Sequence, residues 1–252
     1  MVDKEAFLNS IWLHDIGKIG IPHRVMDKNT RLGNQYEAVR YRFHIALLME
    51  KIRYLEGECT KDEMERYTEE LKKAIALIEE TNAVGSLTDE QIEKLLKISL
   101  LKGYDEQKRR IDLITEEEKK DMLIHRGTLN EDERRTMESH VVYTRELLMK
   151  MKFNGKNKNI MEWASSHHEY LDGSGYSEHK KEEELPMEVR LLTVIDIYDA
   201  LTAEDRPYKR PMNAEKAFEI LRSMCREGKL DGRVVEEFYR SGAWQKNREH
   251  KA

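Results

Sequence analysis

Apolar residues recur at helical spacing along much of the chain. Between Asn34 and Glu56 they fall at Val39, Phe43, Leu47 and Ile52. After a break at Gly57 they resume at Met64, Tyr67, Leu71, Ile75 and Ile78. Steps of three and four residues put each set on one face of a helix, and two such stripes joined by a short link predict an antiparallel helical hairpin. A third amphipathic helix is expected from Asp89 to Lys102. Thr60 precedes Glu63 by three residues, as Thr88 does Gln91, Thr115 does Glu118 and Asn130 does Glu133. In each pair one side chain can accept from a free helix N–H while the other reaches back, so all four mark helix starts.

Composition sharpens this reading. Charged residues make up 37% of the 252, against about 25% in an average domain. Glycine and proline number only 13 and 4, and no proline lies between Pro22 and Pro186. That long stretch therefore carries no proline breaker, which argues against an all-β fold and for an all-α one. The longest apolar runs, Ile45 to Met49 and Leu191 to Ile195, are far shorter than the ~20 residues that span a bilayer. The opening MVDKEAF is polar and acidic rather than basic then apolar, so no signal peptide is expected. Cys59 and Cys225 have no CxxC spacing and point to a reduced, cytoplasmic setting. A net charge of -5 offers no footprint for nucleic-acid polymers.

The chemistry-bearing residues lie toward the two ends. They are His14 with Asp15, Lys18, His140, His167 with His168, and Asp196. Imidazole and carboxylate hold borderline and hard divalent metals without cysteine. Helix neighbours differ by about 100°, so an adjacent pair of ligands suits a helix end rather than a helix face. Asp196 follows an apolar run, where a carboxylate is costly unless paired or metal-bound. Taken singly, each has a plainer reading: the His-Asp pair as a cap or surface feature, His140 as a satisfied helix histidine, His167-His168 as structural. Residues 27–126 hold no such cluster. The expected organisation is a split helical domain, 1–26 and 127–241, an inserted helical arm, 27–126, and a polar C-terminal tail, 242–252.

Order and context add more than the residue types alone. The strings are HDIGKIGIP (14–22), TLNEDERRTMESH (128–140), HHEYLDGSGY (167–176) and DIYDALTAEDRPYK (196–209). In this order they closely resemble the HD-GYP family, a branch of the HD-superfamily metal-dependent phosphohydrolases. The resemblance implies an all-α HD-superfamily helical bundle, here with an inserted helical hairpin arm. It implies hydrolysis of a cyclic dinucleotide, chiefly cyclic di-GMP, by a metal-bridged hydroxide at a centre of two divalent ions, iron or manganese. His14, Asp15, His140, His167, His168 and Asp196 match the family's metal ligands, with Asp15 as the bridging carboxylate. Lys18, Arg206 and Lys209 match basic residues that approach the substrate phosphates. Gly173, Gly175 and Tyr176 belong to the substrate-side loop.

The chain departs from the family pattern in three ways. Ser177 stands where the family has the proline of Gly-Tyr-Pro. The 13 residues before His14 contain no histidine, whereas the family has a further ligand upstream, so either one metal is under-ligated or the helix that supplies that ligand has been lost with a longer N-terminal portion. The arm replaces a connection that is usually short, although some members carry a similar insertion ending in a string like HRGTLNEDE (125–133). Two other functions stay open: a catalytically weakened domain that binds a cyclic dinucleotide or a partner protein, and another HD-superfamily nucleotide phosphohydrolase. The arm itself reads either as a structural unit or as a surface for a homodimer or partner protein.

Overall fold

The computed structural model describes residues 4–203 and 212–248. In chain order the helices are α1 (Lys4–Leu13), α2 (His23–Met26), α3 (Tyr36–Leu55), α4 (Lys61–Asn82), α5 (Asp89–Ile98), α6 (Glu116–Met122), α7 (Glu131–Glu138), α8 (His140–Lys150), α9 (Ile160–Ser165), α10 (Met187–Thr202), α11 (Ala214–Arg226) and α12 (Gly232–Ser241). Among the described residues the fold is all-α apart from one small antiparallel ribbon, β1 (Lys102–Tyr104) with β2 (Arg110–Asp112), in which Gly103 pairs with Ile111. No helix among the described residues is long and apolar enough to cross a membrane.

The chain divides into two compact units, Met1–Ile21 with Arg135–Ala252, and Pro22–Arg134. The divisions fall at 21/22 and 134/135 rather than at the expected 26/27 and 126/127. The cause is a buried network belonging to the second unit. The Lys28 ammonium sits 2.8 Å from Asp121 Oδ2 and 2.6 Å from Glu133 Oε2. Asp121 also accepts from Asn130 (2.7 Å) and Gln35 (3.1 Å). Thr128 Oγ1 donates to the Lys28 carbonyl at 2.9 Å. A buried cation is tolerable only when paired in this way, so residues 22–30 and 127–134 fold with the arm.

Within that unit α3 and α4 form the expected hairpin around Val39, Phe43, Ala46, Leu71, Ala74 and Ile78, closed by Leu95 and Leu113. Arg31 is fully buried and donates to the carbonyls of Ile124 (2.7 Å), Thr81 (2.7 Å) and Val84 (2.6 Å), tying three loops together. All four sequence-marked helix starts are formed: Thr60, Thr88 and Thr115 make reciprocal capping boxes, and Asn130 exchanges bonds with Glu133 at 2.9 and 3.0 Å. The third helix ends at Ile98, not at Lys102. Ser99 turns its hydroxyl back to the Leu96 carbonyl, and Lys102 begins the β-ribbon.

The other unit packs α1 against α9, with Phe7 edge-on to Trp163, and packs α10, α11 and α12 around Val194, Phe218, Leu221 and Val235. The first part of the segment expected as a polar tail carries structure of its own. Gly242 ends α12 in the left-handed conformation, and Ala243–Arg248 forms a 3-10 helix whose Trp244 stacks on Tyr239 and meets Phe218 edge-on. Cys59 and Cys225 are both free thiols.

Candidate metal centre

The unit formed by Met1–Ile21 and Arg135–Ala252 gathers the chemistry-bearing strings. α1 stops at Leu13, so His14 and Asp15 do fall at a helix end, followed by a 3-10 turn, Ile16–Gly20. That turn lies tightly on α8. A Cβ at Gly17 would stand 2.0 Å from the His140 carbonyl oxygen and 2.4 Å from Thr144 N, so only glycine allows the approach. Thr144 Oγ1 accepts from Gly17 N (3.0 Å) and donates to the His14 carbonyl (2.9 Å). His140, the first residue of α8, is thereby held beside Asp15. His167 and His168 follow the end of α9, and Asp196 lies in α10.

Six side chains converge. Asp15 Oδ1 lies 3.4 Å from His140 Nε2 and 3.9 Å from His167 Nε2. Asp15 Oδ2 lies 3.3 Å from His14 Nε2, which is 3.6 Å from Asp196 Oδ1. Asp196 Oδ2 is 3.9 Å from His168 Nδ1. Two overlapping sets, His14–Asp15–His167 and His140–His167–His168, each bring their ligand atoms within 4.8 Å of one another.

The outer nitrogens set which nitrogens face inward. Nδ1 of His14, His140 and His167 donates to the carbonyls of Ile11 (2.5 Å), Met137 (2.7 Å) and Ala164 (2.7 Å). A carbonyl can only accept, so each ring carries its proton on Nδ1 and turns Nε2 to the centre. Asp15 Oδ1, His140 Nε2 and His167 Nε2 are buried and have no hydrogen-bond partner. Lone pairs facing one another out of water are unfavourable unless a cation lies between them. The donor set of imidazole and carboxylate thus fits a divalent metal.

Protonation follows from burial and pairing. Burial works against the charge on His14, but hydrogen bonds to Asp15 and Asp196 outweigh it and raise His14 to about 10. Burial would raise Asp15; the bonds from His14 and Lys18 hold it well below the usual carboxylate range instead. Asp196 is lowered chiefly by His14 against the same burial. Burial depresses His140 and His167, and brings His168 down to about 4. In the metal-free protein one proton on His14 thus balances part of the charge of two carboxylates.

The remaining expected residues separate. Lys18 reaches the rim, 2.5 Å from Asp15 Oδ2 and partly exposed. Tyr176 stacks on His168 at 4.8 Å, and burial raises its phenol. Gly175 presses on the chain at the ligands, where a Cβ would meet His168 O at 2.5 Å and Tyr170 N at 2.4 Å. Gly173 takes φ +77° in the same loop, where a Cβ would meet His179 O and Lys181 Cγ at 3.4 Å. Arg206 and Lys209 lie outside the described residues.

Three residues went unread in the sequence: Gly17, Thr144 and Glu169. Glu169 is buried directly after the histidine pair, and its carboxylate accepts from Glu178 N (2.7 Å) and Lys180 N (3.0 Å), fastening the loop that carries Tyr176. Its adjacency to His167-His168 was the available signal. Thr144 gave none, because its partners are distant in sequence.

Residues 117–234 match the family model described as HD domain. The chain is 39% identical over 95 residues to the 3'3'-cGAMP-specific phosphodiesterase 3 of Vibrio cholerae, covering 38% of this chain and 20% of that protein. It is 35% identical over 122 residues to the cyclic di-GMP phosphodiesterase of Thermotoga maritima, covering 46% and 31%. A probable cyclic di-GMP phosphodiesterase of Vibrio cholerae is also 35% identical over 122 residues, covering 46% and 27%. The matched stretch spans less than a third of each of these relatives.

Proposed function

Because the chain carries an HD domain of the HD-GYP kind, we propose that it is a metal-dependent phosphodiesterase acting on a cyclic dinucleotide, with cyclic di-GMP as first candidate and 3'3'-cGAMP as second. The observation that carries this reading is the trio of buried, unpartnered atoms Asp15 Oδ1, His140 Nε2 and His167 Nε2. In this reading His14, Asp15, His140, His167, His168 and Asp196 would hold two divalent ions, with iron or manganese as first candidates among the several metals such donors accept. Bound there, such ions supply the Lewis acidity that activates water and draws charge from a phosphodiester.

The chain's own groups do the rest. Asp15 turns its two oxygens to different neighbours, Oδ1 toward His140 and His167 and Oδ2 toward His14 and Lys18, so that it could serve ions on either side. Lys18 stands at the open rim, where its ammonium can meet a non-bridging phosphate oxygen as negative charge develops. Tyr176 covers one face of the His168 ring. Glu169 holds the Tyr176 loop in place.

The test is to purify the protein with its metals, count them by elemental analysis, and assay cyclic di-GMP, 3'3'-cGAMP and a chromogenic phosphodiester. Metal with turnover of a cyclic dinucleotide supports the proposal. Metal with turnover only of the simple ester points to another phosphohydrolase. Tight cyclic-dinucleotide binding without turnover supports a signalling domain that has lost catalysis.

A further inference from the structure

Helix α3 carries two apolar faces, and only one meets the core of its unit. Val39, Phe43 and Ala46 are buried. On the opposite side Tyr41, Ile45, Leu48, Ile52 and Leu55 are 59%, 47%, 59%, 41% and 80% exposed. Single exposed apolar residues are ordinary, but a contiguous row marks an interaction surface. This row advances in alternating steps of four and three, the heptad step, and runs along the helix for about 21 Å. The sequence stripe Val39, Phe43, Leu47 and Ile52 shares only Ile52 with the exposed row.

A heptad row selects its occupant. Its side chains seat as knobs only in the holes of another helix with the same period. The identical row on a second copy supplies that period and length at once. The exposed parts of the five side chains, if wholly buried, amount to about 1,000 Å² over two copies, the size of a weak, reversible interface. Charge then chooses the direction. Glu37, His44 and Lys51 flank the row on one side, and Arg42, Met49 and Glu56 flank it on the other. In a parallel, in-register pair Glu37 meets the second copy's Arg42 and Lys51 meets the second copy's Glu56. Of the antiparallel registers, one sets His44 against Lys51 and Arg42 against Met49, with no attraction, and the next sets Arg42 against Glu56 but Lys51 against Lys51, so the parallel pair has the most attractive contacts. Arg42 and Glu56 already touch Glu118 and Lys108 within their own chain, so these contacts orient the pair while the apolar row supplies the affinity.

We infer that this exposed row on α3 is the seam of a homodimer, in which α3 of two copies pair in parallel and in register. Sedimentation equilibrium of the full chain over about a hundredfold concentration range tests it by mass action. The expected result is a monomer–dimer equilibrium that Leu48→Glu weakens at least about 30-fold, as for a central interface residue. Ile45→Lys at the neighbouring layer gives an independent reading, and circular dichroism verifies that both variants stay helical. Lys51→Glu alone and Glu56→Lys alone should each weaken the dimer a few-fold, and the double reversal should restore it. A chain that stays monomeric throughout, or a dimer indifferent to Leu48→Glu and Ile45→Lys, overturns the seam. Failure of the double reversal to restore the dimer overturns the parallel register.

Discussion

Asp15 Oδ1 and His140 Nε2 face each other across 3.4 Å, both buried and neither hydrogen-bonded. Two acceptors in that relation repel, so the pair is stable only with a cation between them or with strain supplied by the fold. Asp15→Ala removes one side of the relation while leaving the Thr144 clamp on the His14 backbone intact. The expected outcome is a folded protein with reduced metal content, measured by elemental analysis, and no turnover above background. Full metal content with full activity would show that the cluster is not the centre.

Metal uptake should release protons. In the metal-free protein His14 keeps its proton up to about 10, whereas His140, His167 and His168 are neutral at pH 7. A ligand must give up its proton, so at pH 7 uptake frees about one proton per chain, and apparent affinity rises about tenfold per pH unit until pH approaches 10. Calorimetric titration in two buffers of different ionisation heat counts the proton. His14→Gln should abolish the release, and a wild-type value of zero would contradict the protonation described.

Glu169 should act by position rather than by contact. Glu169→Ala leaves the amides of Glu178 and Lys180 without their acceptor, at a cost of about 1–3 kcal/mol read from urea unfolding. Because the loop carrying Tyr176 is loosened while the metal ligands are untouched, KM should rise more than kcat falls. Glu169→Gln, which keeps an acceptor oxygen, should recover part of both. Equal stability of the Ala variant and wild type would remove this role.

Gly17 and Gly20 offer a contrast within one turn. A methyl at Gly17 meets backbone atoms of α8 at 2.0 and 2.4 Å, which cannot yield without moving the helix. Gly17→Ala should cost about 3 kcal/mol or more and lower metal content. The nearest atoms to a methyl at Gly20 belong to the ring of Tyr143, at 2.9 Å and beyond, a side chain that can shift. Gly20→Ala should therefore cost clearly less in the same denaturation assay, and equal losses would mean that the turn is not set by Gly17.

The parts legible in the sequence are those set by local rules. The four helix starts, the α3–α4 hairpin and the placing of His14-Asp15 at a helix end follow from residues a few positions apart. The β-ribbon escaped because three-residue strands show no alternation; Gly103 serves there to let Leu113 and Ala46 close in, a contact between distant segments. Nothing in the sequence sets Lys28 apart from a surface lysine, because its two carboxylates, from Asp121 and Glu133, lie about a hundred residues further along the chain. The second face of α3 was hidden for another reason: an apolar residue in a helix pattern is read first as core, and nothing local distinguishes a face that meets its own chain from one that does not.

The closure of the Pro22–Arg134 unit on itself changes what an insertion of that size means for the polymer. A flexible loop between the HDIGKIGIP and HHEYLDGSGY segments would tax their encounter with an entropy that grows by about 0.6 kcal/mol for each doubling of its length. Here Thr128 is bonded to Lys28, and Lys28 to Glu133, so the point where the chain enters the unit and the point where it leaves are fastened together. To the ligand-bearing segments the inserted unit behaves as a short link. His14 and His140, far apart in residue number, are near neighbours along the effective contour of the chain.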